Sequence, residues 1–133
     1  MIDAIDHVVL TSSNLENTIN FYCNVLEMRL KKELIKQDQS IRYSLHFGNY
    51  KINIHEISNI FSPHSKIVNP GTLDICFTST KKISYWESKL KKFKIQIIDG
   101  PVNRKGANSD LLSIYCNDPD GNLIEISNVI GKE

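Results

Sequence analysis

His7-Val8-Val9-Leu10-Thr11-Ser12 lies without a gap on Asp74-Ile75-Cys76-Phe77-Thr78-Ser79. Working outward from that pair, the chain reads as a repeat. Ile19-Asn20-Phe21-Tyr22-Cys23-Asn24-Val25-Leu26 matches Ile83-Ser84-Tyr85-Trp86-Glu87-Ser88-Lys89-Leu90. Residues 42–59 lie ungapped on residues 111–128, which pairs Glu56-Ile57-Ser58-Asn59 with Glu125-Ile126-Ser127-Asn128. The offsets are 67, 64 and 69 residues, so only short insertions or deletions separate the matched blocks. Three matches in one order mark an internal duplication.

Each copy carries the same succession of patterns. In the first, residues 5–10 are β-rich, and Ser13-x-x-Glu16 is a capping-box pattern that starts a helix. Leu15, Ile19, Tyr22 and Leu26 then recur at spacings of four, three and four, giving one buried helical stripe. A strand follows over residues 29–35. Ile41, Tyr43, Leu45 and Phe47 alternate with Arg42, Ser44 and His46, and Gly48-Asn49 turns the chain into a strand over 51–57. The second copy repeats this with a strand from Thr72 and a helix bearing Ile83, Trp86, Leu90 and Phe93 on one face. A short strand over 95–98 is broken by Gly100-Pro101. Strands over 111–116 and 123–128 flank the turn Asp118-Pro119-Asp120-Gly121.

The pattern predicts an α+β fold: two βαβββ modules forming a curved eight-stranded mixed sheet around one cleft. Residues 1–133 form a single domain, with modules over 1–59 and 71–130 and a polar, proline-bearing linker over 60–70. A chain of 133 residues with 41% hydrophobic content is long enough to bury a core without staples. A formal charge of +1 gives no case for a nucleic-acid or membrane-surface partner. Lys89, Lys91, Lys92 and Lys94 read as a solvated helix face. Cys23, Cys76 and Cys116 are an odd number in apolar stretches without metal-knuckle spacing, which suits reduced, hydrophobe-like cysteine. With no signal-peptide pattern and no long apolar run, the expected location is cytoplasmic.

Four stretches carry a family resemblance. They are Ile5-Asp6-His7-Val8-Val9-Leu10, Phe21-Tyr22-Cys23-Asn24-Val25-Leu26, Gly71-Thr72-Leu73-Asp74-Ile75 and Asp118-Pro119-Asp120-Gly121-Asn122-Leu123-Ile124-Glu125. Over essentially its whole length the chain resembles the vicinal oxygen chelate (glyoxalase/bleomycin resistance/extradiol dioxygenase) superfamily. Lys51-Ile52-Asn53-Ile54-His55-Glu56 and Gly100-Pro101-Val102-Asn103-Arg104-Lys105-Gly106-Ala107 resemble, more narrowly, a glyoxalase-domain subgroup that includes proteins labelled virulence-associated.

The resemblance implies one divalent metal ion (Ni, Zn, Mn or Fe) held by His7, a residue on the 51–57 strand, Asp74 and Glu125. Imidazole and carboxylate donors suit a borderline-to-hard cation. For the second donor two arguments disagree: the ungapped repeat sets Glu56 opposite Glu125, whereas strand alternation puts His55 on the cleft side with Asn53. Asp74 stands where family members often carry histidine, which weakens a two-histidine, one-carboxylate iron site. Glu125, between Ile124 and Ile126, is a buried carboxylate in need of a partner. Glu125 or Glu56 would serve as general base, and Arg42 and Arg104 are candidates for substrate contact. His64 reads as linker; Tyr22 and Trp86 read as packing.

By resemblance the activity is that of a glyoxalase-I-like lyase or isomerase, chelating the vicinal oxygens of a small substrate and stabilising an enediolate. The alternative is a metal-free small-molecule or antibiotic binder; a ring-cleaving dioxygenase fits less well because of Asp74. A homodimer is the implied assembly.

Overall fold

The computed structural model describes residues 1–132. In chain order the first half contains β1 (His7–Ser12), helix α1 (Leu15–Ile19) running into a π-helical stretch (Asn20–Val25), β2 (Arg29–Ile35), β3 (Ser40–Phe47) and β4 (Tyr50–Glu56). The second contains β5 (Asp74–Thr78), α2 (Ile83–Lys92), β6 (Asp99–Lys105), β7 (Ser109–Asn117) and β8 (Leu123–Lys132). The fold is therefore α+β with the βαβββ order in each half. The eight strands hydrogen-bond in two sets of four, ordered β1-β4-β3-β2 and β5-β8-β7-β6. Two compact units result, one spanning Met1–Gly71 and the other beginning at Thr72.

In each sheet the first and last strands pair in parallel and the rest are antiparallel. Period-two alternation then sorts side chains. In the first unit Leu10, Leu45, Ile52 and Ile54 are buried on the helix side, where the Ser12 hydroxyl bonds that of Thr18 at 2.6 Å. In the second, Ile114, Cys116, Ile124 and Ile126 lie under α2, whose Trp86 and Leu90 are buried against β7 and β8. Each fully buried aliphatic side chain of this kind contributes about 1.5–3 kcal/mol.

Several local expectations are corrected. Asn14, not Ser13, caps α1: its side chain accepts from the Asn17 amide at 2.9 Å. The buried stripe runs instead through Thr18, Phe21, Tyr22 and Val25, and over its second half i→i+5 bonding such as Leu26 N–H to Phe21 C=O widens the helix. Phe93, expected on the buried face of α2, is its C-cap and exposed. The strand expected over 95–98 lies instead at Asp99–Lys105. It contains Gly100-Pro101, which an edge strand tolerates at the irregularity in its ladder between Asp99 and Val102. Gly100 adopts φ +96°, and a side chain there would come within 2.4 Å of the Ser113 carbonyl oxygen.

The hairpins also differ. The first turns in two residues, Gly48-Asn49, and the second in five, from Asp118 to Asn122. Parallel pairing sets His7 opposite Lys51 and Asp74 opposite Leu123. The positional counterpart of Glu125 is therefore Asn53, and the ungapped match of Glu56 with Glu125 does not survive in three dimensions.

Candidate functional site

The face of each sheet turned away from its helix carries the polar residues singled out above. In the second unit, cross-strand rows can be read from the register. Cys76, Glu125, Tyr115 and Asp99 form one row across β5, β8, β7 and β6. Thr78, Ser127 and Ser113 form the next, and Asp74 sits two residues before Cys76 on the same face. Asp74 is exposed and Glu125 half-buried.

Glu125 is well supplied with proton donors. The Ser127 hydroxyl donates to its Oε2 at 3.3 Å. Burial pushes the Tyr115 hydroxyl and the Cys76 thiol above their ordinary pKa values, and the Glu125 carboxylate beside them raises both further. Arg104 Nε donates to the Tyr115 hydroxyl oxygen at 3.0 Å, which leaves the phenolic proton to be directed elsewhere. The other Arg104 nitrogens reach the Asn103 carbonyl at 3.1 Å and Asp99 Oδ2 at 3.3 Å. Arg104, expected as a substrate contact, is thus engaged by its own unit and acts on Tyr115. A pocket of about 480 Å³ opens along this face, lined by Cys76, Thr78, Arg104, Leu111, Glu125 and Val129 among others.

In the first unit His7 lies at the start of β1, exposed, with Nδ1 2.8 Å from Asp6 Oδ1. A carboxylate only accepts, so Nδ1 donates in this bond and Nε2 is the ring nitrogen that points away from it. That hydrogen bond, together with the imidazole's charge, holds the Asp6 carboxyl below its usual range. His55 shares this face but sits opposite Thr11, four residues along from the His7 level. At about 3.3 Å per residue the two imidazoles are separated by roughly 13 Å along the strands. His55 is buried and packs on Phe61, ring centroids 4.2 Å apart; burial, then Arg42 and His64, lowers its pKa. Glu56 pairs with Ser12 and so belongs to the helix side. The structure therefore brings neither His55 nor Glu56 to His7. Arg42 lies on the same face as His55, with its guanidinium 3.3 Å above the Phe61 ring.

The donors suit a divalent cation in kind: an imidazole oriented by a carboxylate, and two carboxylates sharing one face. Among the described residues of either unit, no three His, Cys, Asp or Glu side chains gather into a metal-binding set. Tyr115, Cys76 and Ser127 were not singled out by the sequence; only the β5-β8-β7 register reveals them as neighbours of Glu125. No helix among the described residues is long and apolar enough to cross a membrane.

Comparison with known proteins places the fold in a family. The chain is 42% identical over 130 residues to Virulence protein STM3117 of Salmonella typhimurium, covering 98% of this chain and 87% of that protein. The crystal structure of STM3117 superposes with a TM-score of 0.87 over 98% of this chain and 99% of that one. Glyoxalase domain-containing protein RDO1 of Mycosarcoma maydis is 39% identical over 93% of this chain and 67% of its own length. Metallothiol transferase FosB of Staphylococcus haemolyticus is 31% identical over 95% of this chain and 84% of its own. Residues 4–126 match the model of one family, and the chain belongs to the Glyoxalase/Bleomycin resistance protein/Dioxygenase superfamily.

Proposed function

We propose that the protein is a metal-dependent lyase or isomerase of the glyoxalase I type, acting on a small substrate with two adjacent oxygens. His7, Asp74 and Glu125 are the donors to one divalent cation, and Glu125 is the base. The observation that carries this reading is the position of Glu125, half-buried on the wall of a pocket and two residues along the sheet from Asp74. The name of the metallothiol transferase relative agrees with a metal in this family.

When bound, a divalent cation supplies Lewis acidity to the substrate's oxygens. The chain's residues do the rest. The Glu125 carboxylate removes a proton from the carbon beside the chelated oxygens and can return it to the neighbouring carbon. Ser127 donates to Oε2 and so helps fix the orientation of the carboxylate on the pocket wall. Arg104 orients the Tyr115 hydroxyl beside that carboxylate. Leu111 and Val129 give the pocket an apolar side.

Two measurements test the proposal: elemental analysis of protein purified without added metal or chelator, and deuterium exchange into hemithioacetals and 2-oxo compounds followed by NMR. Bound divalent metal and metal-dependent exchange are expected. Glu125→Gln should slow exchange by roughly 10²–10⁴-fold. Absence of metal, together with no exchange after Ni, Zn, Mn or Fe(II) is supplied, overturns it. The 480 Å³ pocket with its apolar wall favours one second reading, metal-free capture of a small molecule. Ligand binding that survives both chelator and His7→Ala would select that reading.

A further inference from the structure

The first unit's exposed sheet face has a different character from the second's. Its register places Arg29, His46, Lys51 and His7 in one row across β2, β3, β4 and β1. The next row is Lys31, Ser44, Asn53 and Val9. Arg42 and Glu33 pair in the third. A pocket of about 190 Å³ opens onto these rows, and Glu33 is the one carboxylate among its lining residues, against Lys31, Arg42, Lys51, His46 and His55.

Two features argue that this is a built arrangement. Arg29 and Lys51 stand on either side of His46 in one row with Lys31 in the next, and this crowding of cations around one imidazole works against folding. Such a cost persists where the charges serve a ligand. The Nε of Arg42 is also buried and without a hydrogen-bond partner, while its guanidinium is held on Phe61 at 3.3 Å and lies only at the 4.0 Å limit from Asp38. Arginine on an aromatic ring with spare donors is a preorganised receptor for an oxyanion. Asn53 adds a neutral donor between the cations, while the Ser44 hydroxyl is engaged with His46 Nε2 at 2.9 Å. The repulsion is felt within the row: burial first, then Lys31, Arg29 and Lys51, lowers the pKa of His46.

We propose that this face binds the oxyanion of a small acid, with Lys31, Arg42 and Lys51 as its charged contacts. The claim that this acid is the substrate rests on the reading given above; the anion site itself requires no metal. The ligand chemistry is a carboxylate or a phosphoryl group on a molecule small enough for 190 Å³.

The test uses the full-length protein after chelator treatment, titrated at constant ionic strength with inorganic phosphate and, in parallel, with succinate, followed by calorimetry and thermal unfolding. Saturable binding of either anion over chloride is expected, and the preferred anion identifies the phosphoryl or the carboxylate source. The Lys31→Met/Lys51→Met protein should bind roughly tenfold more weakly or worse. In anion-free buffer that protein should unfold at a higher temperature than the parent, which a merely structural role for the lysines would not produce. Lys89→Met/Lys91→Met, on α2, should bind as the parent does. No saturable binding of either anion, or undiminished binding by the Lys31/Lys51 variant, overturns the inference. Failure of the metal-dependent exchange experiment would leave the phosphate and succinate isotherms unchanged, so the two readings fail separately.

Discussion

Asp118 and His55 are both buried polar side chains, satisfied in opposite ways. Asp118 accepts from the amides of Asp120 and Asn122 at 2.9 Å each and from the Asn122 side chain at 2.7 Å. Asp118→Ala should therefore lower stability by about 3 kcal/mol, read as a shifted urea midpoint with an unchanged slope. His55 has burial and the neighbouring charges of Arg42 and His64 against its protonation. Its folded pKa lies below the ordinary value of 6.5, so the unfolded chain takes up a proton first as pH falls. Its contribution is fully present above pH 6.5 and is lost as pH drops from there toward the folded pKa. Thermal unfolding should show this acid-side loss, and His55→Gln should flatten it. At this scale the repeat made legible that His7 and Asp74 hold equivalent places at the starts of β1 and β5. Tyr115 and Cys76 were not legible, because adjacency across strands depends on a register that no single strand encodes.

Among the elements, α2 takes its N-terminal cap from β8. The Asn128 side-chain oxygen accepts from the Ile83 amide at 2.8 Å, and its Nδ2 donates to the carbonyls of Ser79 and Lys81. Lys82, the residue at the cap position, makes no such bond. Asn128→Ala should cost about 1–2 kcal/mol and speed hydrogen exchange in the first turn of α2 more than in the last. The strands were read correctly wherever alternation was strong, as over 41–47 and 52–54. Strand β6 was misplaced because proline and glycine signal a break, and the sequence does not say that this strand lies at a sheet edge where such a break is harmless. The π-helical turn after α1 leaves no mark on residue spacing read with a 3.6 period.

For the molecule as a whole, a formal charge of +1 conceals two differently charged faces. One unit aligns Arg29, Lys51 and Arg42 beside imidazoles, and the other aligns Asp74, Glu125 and Asp99. Raising sodium chloride from 0.01 to 0.15 M shortens the Debye length from about 30 to about 8 Å. The parent protein should gain thermal stability over that range as the basic row is screened, and Lys51→Met should gain less. Composition gives only the mean charge; the strand register shows how the charges are sorted within each sheet. The unequal hairpins have a genetic corollary. A recombination event that exchanged the two hairpins at their identical Glu-Ile-Ser-Asn words would join them three places out of step. Three is odd, so the identical letters face opposite sides of their sheets, Glu56 toward the helix and Glu125 away from it. A splice guided by those letters alone would thus set its carboxylate against the wrong layer.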